Sequence, residues 1–225
     1  MSLEKDTDPS LRIGLFGGTF NPVHLGHLRS AEEIREKFNL SKIIFVPSRI
    51  PPHKKTRITP SELRFEMVKL STLDNPFFEV SEIELQRPGN SYFFETLDYF
   101  NNLFENRTEL FFIMGLDAFR EIRTWKKYPH FFSACNFIIM SRPGADHSTL
   151  ENVIPLDANH LFRLEKEKQR YVHTSGHTLS FCKISLLEIS STAIRKNISE
   201  GKTIKYLVPD SVEQYIRDHE LLRDI

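Results

Sequence analysis

Cysteine is scarce in this chain of 225 residues, occurring only at Cys135 and Cys182. Two thiols so far apart in sequence make neither a disulfide framework nor a four-cysteine zinc site, so a reducing, cytoplasmic setting is expected. A surplus of charge is missing too, because 30 Lys and Arg balance 30 Asp and Glu. With no global field to draw it onto nucleic acid or an anionic membrane, the chain is expected to have neither as a partner, and any anionic ligand needs a local site. Long apolar runs are also lacking. Stretches such as residues 110–114 fall far short of a membrane span, and residues 1–10 carry charge where a secretion signal would carry an apolar segment. What the chain does have is phenylalanine, 19 residues in all, within a hydrophobic fraction of 40%. That supply suits a packed core and excludes disorder and coiled coil. The expectation is a leader over residues 1–10 and one domain over residues 11–225.

Residues 12–16 form a short apolar run ending in Gly17-Gly18, and a helical pattern follows over residues 24–38. Residues 42–46 (KIIFV) read as a second strand one helix later, the spacing of a right-handed crossover between parallel strands. The loop over residues 47–59 is stiffened by Pro47, Pro51 and Pro52 and made basic by Arg49, Lys54, Lys55 and Arg57. Thr59-Pro60-Ser61-Glu62 has capping-box spacing and predicts a helix burying Leu63, Met67 and Leu70. Alternation over residues 77–85 predicts an extended segment, and residues 92–104 a helix. Residues 109–114 and 136–140 read as buried strands, the first leading through Gly115-Leu116-Asp117 into a helix that ends near Trp125. Residues 145–183 show little periodicity and read as an insertion. Beyond them, Ser190-Ser191-Thr192 opens a helix closed by Gly201, and Asp210-Ser211-Val212-Glu213 opens the last one. This is an α/β pattern built on a parallel sheet.

Ligands of such sheets sit at the carboxyl ends of the strands, where helix N-termini present free N–H groups to anions. The loop Gly17-Gly18-Thr19-Phe20-Asn21-Pro22-Val23-His24-Leu25-Gly26-His27 lies there. Its glycines let backbone approach a phosphate, and His24 and His27, three apart at a helix start, share one face. No Gly-Lys-Ser/Thr follows, and the glycine spacing is not that of a dinucleotide fold, so neither a Walker loop nor hydride transfer is indicated. Zinc binding by the two histidines lacks a third ligand nearby. At the other end of the chain, Ser190, Ser191 and Thr192 start a helix with Arg195 one turn inside, a set suited to phosphate oxygens. The two loops together suggest a triphosphate held from two sides.

In combination, residues 17–27, Pro51-Pro52-His53-Lys54, Gly115-x-Asp117 with Trp125, Arg142-Pro143-Gly144 and residues 189–195 resemble bacterial nicotinate mononucleotide adenylyltransferases. The resemblance covers most of residues 12–144 and 184 to about 216, while the His-x-Gly-His signature alone belongs to a wider nucleotidyltransferase superfamily. It implies a doubly wound, Rossmann-like sheet with helices on both faces and C-terminal helices. The activity it implies is transfer of AMP from ATP to the 5′-phosphate of nicotinate mononucleotide, giving deamido-NAD and pyrophosphate. His24, His27 and Arg195 would act in catalysis. Gly17, Gly18, Thr19, Phe20, Gly115, Asp117, Arg142, Ser190, Ser191 and Thr192 would bind ATP, with Mg²⁺ arriving on its phosphates and no protein metal site. Lys54, Tyr92 and Trp125 would bind the mononucleotide, Trp125 by stacking on the pyridine ring. One departure stands out: Phe93 replaces the threonine that the family associates with the pyridine carboxylate. Other donors must then distinguish acid from amide, so a nicotinamide mononucleotide acceptor competes with the acid. Trp125 disfavours a phosphopantetheine acceptor. An ATP sensor without turnover conflicts with the intact histidine pair and Ser/Thr/Arg helix start, and a tRNA synthetase with the chain's size and charge balance. His173 and His177 receive no role.

Overall fold

The computed structural model describes residues 11–52, 58–105, 108–141, 154–185 and 187–223. Among them, β1 (Arg12–Gly18), β2 (Lys42–Pro47), β3 (Phe78–Val80), β4 (Glu109–Gly115), β5 (Asn136–Ser141), β6 (Phe162–Glu165), β7 (Arg170–His173) and β8 (Thr178–Lys183) form one sheet. Its strand order is β3-β2-β1-β4-β5-β8-β7-β6. The pairs from β3 through to β8 are parallel, whereas β6, β7 and β8 are joined antiparallel. Strand order therefore reverses at β1, with β2 on one side and β4 on the other, which opens a crevice beyond their carboxyl ends.

The helices are α1 (Leu25–Lys37), α2 (Ser61–Thr72), α3 (Ile83–Gln86), α4 (Phe93–Leu103), α5 (Leu116–Arg120), α6 (Leu156–Asn159), α7 (Ser191–Ser199) and α8 (Asp210–Asp218). Alternate residues of the central strands feed opposite faces of the sheet, as a period of two requires. Phe16, Ile43, Phe45, Phe111, Ile113 and Ile138 pack under Ala31 and Ile34 of α1, Met67 and Val68 of α2, Ile194 of α7 and Val212 of α8. Ile13, Leu15, Ile44, Val46, Phe112 and Phe137 pack instead under Leu97 and Phe100 of α4 and Phe119 of α5. The C-terminal helices thus return to the face of α1, and the expected doubly wound sheet is what forms. Among the described residues, no helix is long and apolar enough to cross a membrane.

Five local readings change. Residues 145–183, read as an insertion, contain β8, an interior strand whose parallel register runs from Phe137↔Leu179 to Ser141↔Lys183. The helix after the basic loop buries Met67 as expected, but Leu63 and Leu70 are only half-buried, while Arg64 is fully buried at 1% exposed. Its expected capping box does not form: Pro60 is the N-cap, no side chain caps the helix, and the buried Thr59 Oγ1 has no hydrogen-bond partner. The last helix likewise starts after Pro209 without a side-chain cap. Finally, the alternating stretch 77–85 yields only β3 and the single turn α3.

Candidate active site

The loop after β1 turns back under α1. Phe20, at φ 48°, and Phe16 both set their rings edge-on to His27, with centroids 5.2 and 6.2 Å away. A side chain at Gly18 would strike the Phe20 ring at 2.7 Å, and one at Gly26 would meet His24 Nδ1 at 3.0 Å. Glycine at these two positions is what lets the rings close up. His24 and His27 stack with centroids 3.6 Å apart. Burial drops the His24 pKa to about 4, so that ring is neutral at physiological pH. The His24 backbone N–H donates to His27 Nδ1 at 3.2 Å. With Nδ1 accepting, the ring proton sits on Nε2, the nitrogen that can donate to an oxyanion.

Helix α7 meets this loop directly. Ser191 Oγ donates to the Pro22 carbonyl at 2.8 Å, and Arg195 Nη1 to the Asn21 carbonyl at 2.8 Å. A second arm of the guanidinium, Nη2, reaches Thr192 Oγ1 at 3.3 Å. Ser190 is the N-cap, its Oγ accepting from the Ala193 N–H at 3.1 Å. Accepting leaves its own O–H available to a ligand, and the first-turn N–H groups of α7 face the same end of the helix. The hydroxyl proton of Ser191 is already used to lace the two segments together, so that residue would reach a phosphate through its backbone N–H.

A cavity of about 820 Å³ opens on the opposite face of the sheet. Gly17, Gly18, Thr19, Gly115, Tyr92 and Trp125 line it. Trp125 is half-buried, its ring edge-on to Phe93 and Phe112 at centroid distances of 5.7 and 6.1 Å. Phe93 also lines the cavity and lies 3.9 Å from Phe112, presenting ring where a threonine would present a hydroxyl. Of the remaining expected residues, Asp117 lies outside the lining, with its side chain 88% exposed and 3.7 Å from Arg120. Lys54 and Arg142 lie outside the described residues. The 17–19 segment borders the cavity while continuing into the loop that carries the histidines, so the site has two compartments joined at the end of β1.

Sequence reasoning missed three members of this neighbourhood. Glu84 lines the cavity and accepts from Thr96 Oγ1 at 2.6 Å; burial pushes its pKa up, against the pull of Thr96, Ser91 and Arg87. Ser48, on the cavity wall, has a buried Oγ with no partner. Arg64 lies beneath the cavity rim, joined to Thr19 and Arg49. Only Glu84 left a trace in sequence, as one acid among the alternating residues 77–85.

A doubly wound sheet with stacked histidines at its first loop defines a nucleotidyltransferase, and the cytidylyltransferase-like family matches residues 15–197. Full-length relatives narrow this. A protein of Geotalea daltonii, named "Probable nicotinate-nucleotide adenylyltransferase", is 42% identical over 95% of this chain and 99% of its own length. One of the same name from Desulfitobacterium hafniense is 46% identical over 96% of this chain and 97% of its own. The fold is shared by Plasmodium falciparum nicotinic acid mononucleotide adenylyltransferase, solved with NaAD. Its TM-score is 0.69 at 19% identity, and the match covers 94% of this chain and 97% of that one. The chain belongs to the nicotinate-nucleotide adenylyltransferase family.

Proposed function

We propose that the protein transfers AMP from MgATP to the 5′-phosphate of nicotinate mononucleotide. An oxygen of the acceptor phosphate attacks the α-phosphorus, the bond from that phosphorus to the bridging oxygen of the β-phosphate breaks, and pyrophosphate leaves. Both reactants are polyanions and the nucleophile is a substrate oxygen. The protein's work is therefore to align them and to hold charge, with no covalent protein intermediate. His27 Nε2 donates to an α-phosphate oxygen as charge develops, and His24 keeps that ring stacked in place. Arg195, Ser190, Thr192 and the N–H groups of α7 hold the β- and γ-phosphates on the side of the leaving group. The mononucleotide occupies the cavity with its pyridinium ring on Trp125, an electron-rich surface for a cationic ring. Its phosphate reaches the junction at residues 17–19.

The observation that carries this reading is the lacing of α7 onto the histidine loop, Ser191 to Pro22 and Arg195 to Asn21. It supports the reading because it joins the two segments proposed to hold the triphosphate. Incubating the protein with MgATP and the acid mononucleotide, and resolving products by chromatography, tests it: a dinucleotide and pyrophosphate in equal amounts are expected. ATP breakdown without dinucleotide would reject the reading. The amide as acceptor has one observation on its side: the apolar Phe93 and the carboxylate of Glu84 both line the cavity. Running both mononucleotides in parallel decides between them, and the acid is expected to give the higher kcat/KM.

A further inference from the structure

Among the described residues Arg64 is the largest side chain that is fully buried, and its guanidinium meets three backbone carbonyls. Nε donates to Thr59 at 2.8 Å, Nη1 to Thr19 at 2.7 Å and Nη2 to Arg49 at 2.9 Å. Burying a charge at this depth is costly unless every donor direction is answered. Desolvation lowers its pKa to about 10, opposed by the fields of Glu62 and Glu84, so the group stays charged at neutral pH. A methionine or leucine would fill the space beneath α2 without this cost, so packing alone does not account for an arginine here.

The three carbonyls belong to separate segments. Thr19 starts the loop after β1 and Arg49 lies just past β2, and the cavity wall includes Thr19, Ser48, Pro51 and Pro52 from those stretches. Further bonds extend the connection: Ser48 N–H donates to the Gly18 carbonyl at 2.9 Å, Arg49 N–H to Ser91 Oγ at 2.9 Å, and Ser91 N–H to the Ile50 carbonyl at 2.9 Å. Ser91 and Tyr92 line the cavity as well. A continuous chain of bonds thus runs from Thr19 through Arg64 and Arg49 to the segment carrying Tyr92. Only a planar fork with donors on three nitrogens reaches all three carbonyls; a lysine ammonium on its single stem does not.

We infer that Arg64 is a positioning residue that sets the spacing between the β1 and β2 loops, and so the shape of the mononucleotide cavity, through the three carbonyls it grips. This deepens the proposed adenylyl transfer and rests on it for the identity of the ligand. None of the clamp's hydrogen bonds involves Ser190–Arg195, whose own bonds run to Pro22, to Asn21 and within α7, so loosening it acts mainly on the acceptor.

Arg64→Lys keeps the charge and loses the fork, and Ser91→Ala cuts the chain one link further on while leaving the buried guanidinium intact, though it also removes the Ser91 bond to Glu84. For both variants, folding is checked by circular dichroism, and hydrogen exchange is followed over residues 17–20, 47–50 and 90–92. Binding of nicotinate mononucleotide is read from Trp125 fluorescence, and KM is measured for each substrate. The expected result for Arg64→Lys is faster exchange in those segments and acceptor KM and Kd raised about tenfold, with the ATP KM changed less than about threefold. Ser91→Ala is expected to shift the acceptor in the same direction by a smaller factor. Acceptor affinity within about twofold of wild type in the variants that fold would overturn the inference. So would unchanged exchange at the Ser48 and Ser91 amides. Fluorescence and exchange need no turnover, so a failure of adenylyl transfer in the wild type is read separately from a failure of the clamp.

Discussion

Ser191 and Pro22 stand 169 residues apart in the chain and share a hydrogen bond of 2.8 Å from hydroxyl to carbonyl. Beside it, Arg195 reaches the Asn21 carbonyl. The start of α7 and the histidine loop therefore hold each other in place, and neither is set by its own strand alone. Ser191→Ala removes one bond of this lacing at a cost of about 1 kcal/mol in stability, readable by urea unfolding. It should raise the ATP KM severalfold while leaving the acceptor KM nearly unchanged. Equal rises in both would contradict the assignment of α7 to the triphosphate.

His27 offers Nε2–H because Nδ1 is engaged by the His24 backbone. Removing a donor aimed at developing charge costs on the order of 10²–10³ in rate. His27→Ala is therefore expected to lower single-turnover rates by about that factor, with ATP affinity changed only a few-fold. Rates near wild type in a rapid-quench experiment would reject the role.

The buried His24 links stability to pH. Its pKa is about 4 in the folded protein against 6.5 for an unperturbed histidine. Between those limits the unfolded chain binds the extra proton, so stability falls as pH drops from 6.5 towards 4 and levels off below it. The contribution lost between pH 7 and pH 5 is about 2 kcal/mol. His24→Asn should lack this component, so its urea-unfolding free energy should fall less over that interval than the wild-type value does. Parallel pH profiles for the two proteins would show that His24 titrates normally.

Much of the site could be read from sequence because its residues announce themselves by local chemistry. Paired glycines after a strand, histidines three apart and hydroxyls before a helix each follow from one turn of backbone, and Ser190 does cap α7. What was not legible depends on distant partners. β8 is too short and too mixed, with Thr178 and Ser180 among its residues, to signal an interior strand; its identity comes from pairing with β5. Arg64 sits on a helix whose apolar spacing points to Leu63 and Leu70. Nothing local says that a guanidinium will be buried, because its acceptors lie on the loops after β1 and β2 as well as at its own helix entry. The Thr59 capping pattern failed for a related reason: Pro60 took the N-cap place, and Thr59 turned inward.

Trp125 serves both the cavity and the aromatic cluster of Phe93, Phe112 and Phe131. Trp125→Ala is expected to raise the acceptor KM about tenfold through loss of ring stacking, with the ATP KM changed less than about twofold. Trp125→Phe, which keeps a ring face, should recover most of the loss. If both variants weaken the two substrates alike, the ring is packing the site and not stacking on a pyridine.

The central claim is that the bond broken lies between the α- and β-phosphates of ATP and that the acceptor phosphate takes the AMP. Following label from [α-³²P]ATP and, separately, from [γ-³²P]ATP in the presence of nicotinate mononucleotide tests this directly. The α label is predicted to appear in the dinucleotide and the γ label in pyrophosphate. Label from the γ position in inorganic phosphate, with none from the α position joined to the mononucleotide, would contradict it.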